Sequence, residues 1–322
     1  MTAHDFSVII CAYTEDRWSE MLAAVESVQG QTLRAREIIL VIDHNPALYQ
    51  RARQHFTNVK VIENHEPRGL SGARNSGLAV AQSEIVAFMD EDATAAPDWL
   101  ETLASRYTDP NVLGVGGAIV PMWASGRPAW FPEEFDWVVG CTYKGMPTTN
   151  TPVRNLIGCN MSFRRAIAEQ IGGFRDGIGR VGAHPVGCEE TEFCIRANQR
   201  FTGKHFLYAP EARVFHNVPA SRATWSYFRA RCYAEGLSKA LIGRFIGKGD
   251  SLSSETSYAT RTLPLGVLRG LATLHPSGFA RAAAIVVGLM TTAYGYASAT
   301  VTLALEDRTK RSQQPAALNS PQ

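Results

Sequence analysis

The sequence lacks the features that define several large classes of protein. Lys and Arg number 32 and Asp and Glu number 30, so no excess of positive charge indicates nucleic-acid binding. None of the 6 cysteines forms a C-x-x-C pair, which argues against a zinc ribbon or a thioredoxin-like site. The N-terminus is polar and has no signal peptide. We therefore expect a cytoplasmic body whose cysteines are reduced and act as small buried hydrophobic residues.

Strand-like and helix-like runs alternate through the first half of the chain. Four apolar runs are typical of buried strands and lie at 6–11, 37–42, 59–63 and 84–89. Three runs between them have helical spacing and lie at 18–29, 46–56 and 69–81. Because the connections are short, this rhythm predicts an α/β fold with a mostly parallel central sheet flanked by helices. Ligands of such sheets bind at the carboxyl ends of the strands.

The second half is less regular. Residues 124–151 are rich in Gly, Pro, Trp and Phe, which suits an irregular region beside a substrate cleft. We expect further strands at 112–122, 156–163 and 213–216. We expect further helices at 165–171, 189–200 and 223–246, the last of them long and amphipathic.

Residues 282–305 contain no charged side chain. A stretch of roughly 20 apolar residues can cross a bilayer, but the Ala, Gly, Ser and Thr content makes this one only weakly hydrophobic. Charges of both signs follow it, so the positive-inside rule gives no topology. Two interpretations stay open: a soluble helix packed on the domain or on a dimer partner, and a membrane span or re-entrant anchor.

An acidic triplet, Asp90-Glu91-Asp92, follows the fourth predicted strand. Two carboxylates at positions i and i+2 beyond a strand can hold one hard divalent ion, such as Mn²⁺ or Mg²⁺, together with the diphosphate that it neutralises. His216, which ends a later strand-like run, could complete the metal shell with Asp92, because imidazole is an acceptable ligand for manganese. A solvated acidic turn and a structural histidine are the alternative interpretations.

A glycine-rich segment, 69–77, begins the third predicted helix. Its glycines let the backbone approach a phosphate closely, and Arg74 offers a guanidinium fork. The alternative is a helix cap in which Arg74 forms a structural ion pair. Asp43, after the second strand, could accept a hydrogen bond from a nucleobase, or it is a turn residue.

A second acidic cluster, Glu189 and Glu190 with Glu192 close behind, opens the predicted helix 189–200. A carboxylate there that faces a bound acceptor could remove a hydroxyl proton. Acidic residues are also common at helix starts because they suit the macrodipole, which is the alternative interpretation.

Taken in order, these motifs resemble the inverting glycosyltransferases of family 2 along nearly all of residues 6–217. The resemblance rests on Ala12-Tyr13-Thr14, Asp43, Gly-x-x-x-Ala-Arg-Asn at 69–75, the triplet 90–92, 158–163, Gly-Gly-Phe at 172–174 and Glu189-Glu190. It implies a GT-A fold and metal-dependent transfer from a nucleotide-sugar donor. The Gln-x-x-Arg-Trp element of the family's processive members is not found, so single-sugar transfer is expected.

The resemblance also implies roles for individual residues. The nucleotide-sugar contacts it implies are Ala12, Tyr13, Thr14, Asp43, Arg74, Asp90 and Glu91. The metal ligands it implies are Asp92, as the more direct one, with Asp90 and His216. Glu190 falls on the catalytic-base position with Glu189 before it. That position is usually aspartate, so the longer glutamate arm alters the geometry.

A narrower stretch of the chain is similar to archaeal glucosyl-dolichyl-phosphate glucuronosyltransferases. The likeness covers 126–140, 153–155, 187–194, Arg231 and 236–239. It implies a UDP-glucuronate donor and a lipid-linked or hydrophobic glycoside acceptor. The residues expected on the sugar and acceptor side are Trp137, Arg154, Asn160, Arg231 and Lys239. The candidate cations for a hexuronate carboxylate are Arg154, Arg229, Arg231 and Lys239, whereas a solvated basic helix face and aromatic core residues are the alternatives.

We therefore expect four regions in the chain. These are a GT-A catalytic domain at 1–220, a helical acceptor-side extension at 221–280, a hydrophobic segment at 281–306 and a disordered tail at 307–322. The protein is expected at the inner face of the cell membrane, without nucleic acid and with homo-oligomers possible. A hexosyl or rhamnosyl transferase of cell-envelope polysaccharide or natural-product glycosylation is the alternative within this fold. A sugar-nucleotide pyrophosphorylase and a non-catalytic nucleotide-sugar-binding membrane protein are the alternatives outside this class.

Overall fold

A mixed sheet runs through the described residues, which are 5–177, 187–246 and 255–313 of the computed structural model. Its strands are β1 Phe6–Ala12, β2 Glu37–Ile42, β3 Lys60–Glu63, β4 Ile85–Asp90, β5 Ala93–Ala95, β6 Val112–Trp123, β7 Thr151–Val153, β8 Met161–Arg164 and β9 His205–Val218. The flanking α-helices are α1 Trp18–Gln29, α2 Pro46–His55, α3 Leu70–Val80, α4 Trp99–Ala104, α5 Arg165–Ile171, α6 Glu189–Arg200 and α7 Trp225–Ile246. The short 3₁₀ helices are Glu15–Arg17, Glu133–Val139, Gly158–Asn160 and Ala220–Ala223.

The strand order in the sheet is β3-β2-β1-β4-β8-β6-β9-β5, and β7 pairs with β9. Strands β3, β2, β1 and β4 run parallel, as do β6 and β9. Strand β8 is antiparallel to both of its neighbours, and β5 and β7 are antiparallel to β9. The predicted α/β fold with helices around a mostly parallel sheet is confirmed for the first half, and the second half adds the antiparallel strands.

Two hydrophobic cores lie on the two faces of this sheet. Every residue of β1 is buried, and its side chains alternate between the cores: Phe6, Val8 and Ile10 lie in one, Ile9 and Cys11 in the other. This is why the strand reads as a continuous apolar run rather than as an alternating one.

The register of the central strands brings the predicted polar residues to one edge. Ala12 is opposite Ile42, and Cys11 is opposite Asp90. The residues that follow, Tyr13 and Asp43, therefore leave the sheet side by side with the acidic triplet.

Several elements differ from the predictions. Strand β8 begins at Met161 rather than at 156, because Gly158–Asn160 forms a 3₁₀ turn first. Strand β9 spans His205–Val218, so the expected strand residues 213–216 lie near its end. Strands β5 and β7 and helix α4 span only three to six residues each, too few to show a clear hydrophobic period.

The C-terminal helices pack on this framework. A helical turn Glu255–Ser257 and a π-helical segment Tyr258–Thr262 lead into α8 Leu263–Ala272, which is followed by α9 Pro276–Gln313. Helix α9 therefore begins before the predicted hydrophobic segment and extends into the predicted tail, of which 314–322 lie outside the described residues. By length and composition, Pro276–Leu305 could cross a membrane, with a mean hydropathy of 1.3 and 33% of its apolar window buried.

Glycines set the contact between α9 and α7. A Cβ atom at Gly236 would overlap the backbone of α9 at Thr292 and Tyr296, and one at Gly295 would overlap the carbonyl group of Tyr233. The two helix backbones therefore touch along one face, which attaches α9 to the rest of the protein.

Candidate active site

A cavity of about 460 Å³ lies between the sheet edge and helices α6, α7 and α9. Asp90 from the end of β4 lines one side, and Glu189 and Glu190 from the start of α6 line another. Arg231 and Lys239 from α7 line a third. One member of the first acidic cluster, Asp90, therefore shares a cavity with Glu189 and Glu190 of the second, although the two clusters are about a hundred residues apart in the chain.

Arg74 connects the two acidic clusters. Its guanidinium donates to Glu189 at 2.6 Å, and its other terminal nitrogen lies 3.8 Å from Asp90. The side chain is only 2% exposed, with the guanidinium over the rings of Phe88 and Phe174. Burial lowers the pKa of Arg74, but the carboxylates outweigh burial and raise it, so the group stays charged.

Gly158 provides the space for this guanidinium. A Cβ atom at position 158 would lie 2.5 Å from a terminal nitrogen of Arg74. The lack of a side chain at 158 is thus what lets a buried arginine reach both clusters.

The carboxyl group of Glu190 has a pKa near neutral pH. Burial and the adjacent charge of Glu189 raise the pKa of Glu190 to about 8, while Arg74 opposes the shift. Its carboxylate accepts a hydrogen bond of 3.3 Å from Thr191. A carboxyl group with a pKa near neutrality, at the start of a helix and facing a cavity, can exchange a proton with a bound hydroxyl.

Cys188, the residue before Glu189, sets the direction in which α6 begins. It has a φ of 77°, in the left-handed region that non-glycine residues rarely adopt. Its thiol lies 3.8 Å from a carboxylate oxygen of Glu235 on α7. The backbone thus turns sharply just before the two glutamates.

Asp92 lies beside a histidine and two arginines. Its oxygens are 3.1 Å from Nε2 of His216, 3.1 Å from Arg17 and 3.5 Å from Arg222. Burial raises the pKa of Asp92, but His216 and the two arginines outweigh it, so the pKa lies well below its usual range. Arg17 also donates to Glu91 at 2.7 Å. Burial and Asp92 raise the pKa of Glu91 to about 7 against the opposing effect of Arg17.

One group of side chains fits a metal ion. The ligand atoms of Asp90, Cys159 and His216 lie within 4.8 Å of one another, on three different elements. All three residues line the cavity. A carboxylate suits Mn²⁺ or Mg²⁺ and an imidazole is acceptable to Mn²⁺, while the thiol is a softer ligand. Asp92 contacts the ring nitrogen of His216 and so orients it.

The expected nucleobase residues lie beside the cavity, at the ends of β1 and β2. Both oxygens of Asp43 are engaged, by the amide of Asn64 at 2.7 Å and by the backbone N–H of Gly69 at 3.0 Å. Ala12 is buried, and Tyr13 is 38% exposed. The hydroxyl group of Thr14 caps the following 3₁₀ helix. Of these residues, Tyr13 presents the largest exposed surface to a ligand.

The expected sugar-side residues mostly line the cavity. Trp137, Arg154, Arg231 and Lys239 do so. The indole N–H of Trp137 donates to the hydroxyl group of Tyr258 at 3.0 Å. Lys239 lies 3.3 Å from Glu235 one helical turn away. Among the residues of α7 that line the cavity, the two cations Arg231 and Lys239 outnumber the one carboxylate, Glu235.

Asn160 is an exception, and its expected place on the sugar side is corrected. Its side chain is fully buried. The amide oxygen accepts from the indole of Trp99 at 2.8 Å, and the amide nitrogen donates to the carbonyl groups of Ala118 and Ala212. These three bonds use the amide to join α4, β6 and β9, so Asn160 is a core residue.

Several residues of the site could not be predicted from local sequence patterns. Arg17 and Arg222 reach Asp92 from distant elements. Glu235 and Tyr258 line the cavity from the C-terminal helices. Cys159 lay within the recognised 158–163 motif, but only the fold brings it near His216.

Comparison with known proteins gives a consistent result. The profile of the family described as glycosyl transferase family 2 matches residues 7–172. The chain is 36% identical over 240 residues to the glucosyl-dolichyl phosphate glucuronosyltransferase of Haloferax volcanii, covering 73% of this chain and 76% of that protein. It is 26% identical over 239 residues to the succinoglycan biosynthesis protein ExoM of Rhizobium meliloti, covering 70% of this chain and 71% of that one.

Solved structures show the same fold. The mannosyltransferase PcManGT from Pyrobaculum calidifontis, in complex with GDP-Man and Mn²⁺, aligns with a TM-score of 0.56 and 18% identity over 91% of this chain and 88% of that one. GalNAc-T7 with UDP, GalNAc and Mn²⁺ aligns with a TM-score of 0.53 and 18% identity, covering 81% of this chain and 56% of that one. The sheet and its helices are therefore of the GT-A type.

Proposed function

The chain belongs to glycosyl transferase family 2, and from this membership and the site geometry we propose that it transfers one sugar to a hydroxyl group with inversion at the anomeric carbon. Family membership makes it a glycosyltransferase and sets aside the pyrophosphorylase and the non-catalytic binding protein. The roles of individual residues and the identities of the sugar and the acceptor are our proposals.

The observation that supports this mechanism is the arrangement of carboxylates around Arg74. Its guanidinium lies between Asp90, on the donor side, and Glu189, beside Glu190, within one cavity. A donor diphosphate near Asp90 and an acceptor hydroxyl near Glu190 would then approach each other from opposite sides of the anomeric carbon. That geometry suits a single displacement.

In the proposed step, the acceptor oxygen forms a bond to the anomeric carbon as Glu190 takes the hydroxyl proton. The bond from that carbon to the diphosphate oxygen breaks, and the nucleoside diphosphate leaves with the electron pair. The single displacement inverts the configuration. The charge of Arg74 favours the leaving group and holds Glu189 in place beside Glu190.

We propose Asp90 and His216 as ligands of Mn²⁺ or Mg²⁺, with Asp92 as a further ligand or as the residue that orients His216. A divalent cation there would supply positive charge where the leaving diphosphate develops its negative charge. Chelation should abolish turnover and manganese should restore it. Indifference to the chelator would contradict the assignment.

For the donor, we propose UDP-glucuronate. The Haloferax volcanii relative is named as a glucuronosyltransferase that acts on glucosyl-dolichyl phosphate. The cavity is also lined by three cationic side chains, Arg154, Arg231 and Lys239. A hexuronate carboxylate requires such a cation, since burying it without one is costly.

The test is a panel of UDP-sugars with manganese, read by UDP release with and without a polyprenyl-phosphate-glucose acceptor. We expect UDP-glucuronate to be preferred. Arg231→Met should reduce that preference over UDP-glucose by about tenfold to a hundredfold, the scale of a charge-assisted hydrogen bond. Arg229→Met is the matched control, because Arg229 is exposed on the same helix. Equal use of both donors by the unmodified enzyme would refute the glucuronate proposal.

A second candidate is a hexosyl or rhamnosyl transferase of cell-envelope polysaccharide. It is favoured by the similarity to the succinoglycan biosynthesis protein of Rhizobium meliloti. Turnover of a neutral UDP-hexose or of an activated rhamnose in the same panel, with no turnover of UDP-glucuronate, would select it.

The proposed acceptor is lipid-linked or another hydrophobic glycoside, so we also propose that the protein works at the inner face of the cell membrane. The apolar α9 and the name of the Haloferax volcanii relative support this location. Fractionation of cells would test it, since a protein found wholly in the soluble fraction would contradict the proposal.

A further inference from the structure

Helices α8 and α9 share an exposed apolar surface. On α9, exposed apolar side chains recur every three to four residues or multiples of that spacing at Phe279, Val286, Met290, Tyr294, Val301 and Leu305. On α8, Leu265, Leu268 and Leu271 are exposed in the same way. Leu274, in the turn between the two helices, is 82% exposed. Together these side chains form the apolar face of the helix pair.

The charged residues within 256–305 are all basic, and the acidic residues Glu306 and Asp307 follow directly after Leu305. No acidic residue occurs between Thr256 and Leu305, whereas Arg261, Arg269 and Arg281 do. An apolar face flanked by arginines suits a leaflet that contains anionic lipids. A second protein copy would meet the same positive charges on its own face.

We propose that α8 and α9 lie together in the interface of one membrane leaflet and do not cross the bilayer. The exposed faces of both helices would sit among the acyl chains, with the arginines at the headgroups. This inference deepens the membrane association proposed above by giving its mode and its contact residues.

The packing of α9 against α7 is the reason that α9 does not cross. The backbones touch where Gly236 meets Thr292 and Tyr296, which is the middle of the uncharged segment 282–305. On α7, Arg231, Glu235 and Lys239 lie within five residues of that contact. A crossing α9 would carry these charged side chains to the centre of the hydrocarbon, where charges are costly.

The apolar face is also continuous with the cavity. Leu289 on α9 is 40% exposed and lines the cavity, which Thr292 and Tyr296 line as well. One helix therefore forms part of the cavity wall and part of the surface assigned to the leaflet. A lipid-anchored acceptor could reach Glu190 along α9 while its chain stays in the membrane.

Binding of the full-length protein to vesicles tests the contact. We expect sedimentation with phosphatidylcholine vesicles that contain phosphatidylglycerol, and weaker sedimentation without it. Leu268→Glu and Met290→Glu should each lower the partition coefficient about tenfold or more, since each replaces an exposed apolar side chain that would contact the acyl chains by a charge. Met122→Glu is the matched control, because Met122 is 52% exposed and lies outside α8 and α9.

The topology is tested by labelling with a membrane-impermeant maleimide. Single cysteines at Ser277 and Thr302, near the two ends of the uncharged part of α9, should both be labelled from the same side of a sealed vesicle. The unmodified protein gives the background, since five of its cysteines are buried. Labelling from opposite sides would show a span and overturn the proposal.

Two other results would also overturn it: no vesicle binding by the unmodified protein, or self-association that Leu268→Glu and Met290→Glu abolish. Transfer to a water-soluble acceptor separates this inference from the proposed function. If both variants keep that activity and lose vesicle binding, the membrane contact stands whatever sugar is transferred. If transfer is absent in the unmodified protein but vesicle binding behaves as expected, only the proposed function fails.

Discussion

The proposed donor side and the proposed acceptor side of the site place acidic residues in opposite environments. On the donor side, Asp92 is surrounded by His216, Arg17 and Arg222, which hold its pKa well below the usual range. On the acceptor side, burial and Glu189 raise the pKa of Glu190 to about 8. The carboxyl group of Asp92 is thus kept ionised, whereas that of Glu190 titrates near neutral pH.

This difference indicates a division of labour. A carboxylate that stays charged suits the binding of a cation, and one that titrates near neutral pH suits proton transfer. Arg74 touches both sides and keeps the two negative clusters in one cavity. If the division is correct, changes on the two sides should affect different measured quantities.

The largest effect is expected for Glu190→Gln. Loss of the general base should lower kcat by about 10²–10⁴ and leave the Kd of the donor unchanged, because the donor side is intact. Isothermal titration with the donor and steady-state kinetics would measure the two quantities. Glu169→Gln, an exposed acid on α5, is the control. A near-normal kcat in the Glu190 variant would contradict the proposed role of Glu190 in proton transfer.

Arg74→Met should destabilise the whole protein. It leaves Glu189 buried without its cation, and breaking a buried pair costs about 3–5 kcal/mol. The free energy of unfolding in urea measures this. Arg165→Met breaks the exposed pair with Glu169 and should cost only about 0–1 kcal/mol. Equal losses in the two variants would mean that Arg74 does not link the clusters.

The pH dependence should follow the acceptor side. Glu190 must lose its proton to act as a base, and its pKa is raised to about 8. The rate should therefore level off above that pH and fall about tenfold for each unit below it. Glu190→Gln should flatten this limb of the pH–kcat/KM profile. If the fall in kcat/KM at low pH persists in the variant, the titration of another group causes it.

The smallest effect is expected at the contact between α7 and α9. Gly295→Ala places a methyl group against the carbonyl of Tyr233 and should cost about 1–3 kcal/mol of stability by overpacking. Ala297→Ser, on the exposed side of the same helix, should change stability by less than about 0.5 kcal/mol. Thermal unfolding measures both, and a neutral Gly295 variant would show that α9 packs less closely than described.

Prediction from the sequence succeeded where the signal is local. The buried runs of β1, β2 and β4 and the polar residues that follow them are close in sequence, so the sheet edge with Asp43 and Asp90 could be inferred. The start of α6 at Glu189 was also predicted, because acidic residues mark helix starts.

Prediction failed where the partner is distant in the chain. Asn160 was expected to face the sugar, but Trp99, Ala118 and Ala212 use its amide in the core. The arginines on Asp92 come from positions 75 and 130 residues away, which no local pattern reveals. Most site geometry arises from such long-range contacts, which hydrophobic periodicity does not encode.

The space that Gly158 leaves for Arg74 also constrains how this enzyme can diverge. A Cβ atom at 158 would overlap the guanidinium, so a larger residue at 158 requires Arg74 to move or to be replaced first. A descendant that acquired a larger residue at 158 would first have to lose the arginine and then find another way to hold two acidic clusters within one cavity. Position 158 therefore cannot gain a side chain while Arg74 keeps its present place.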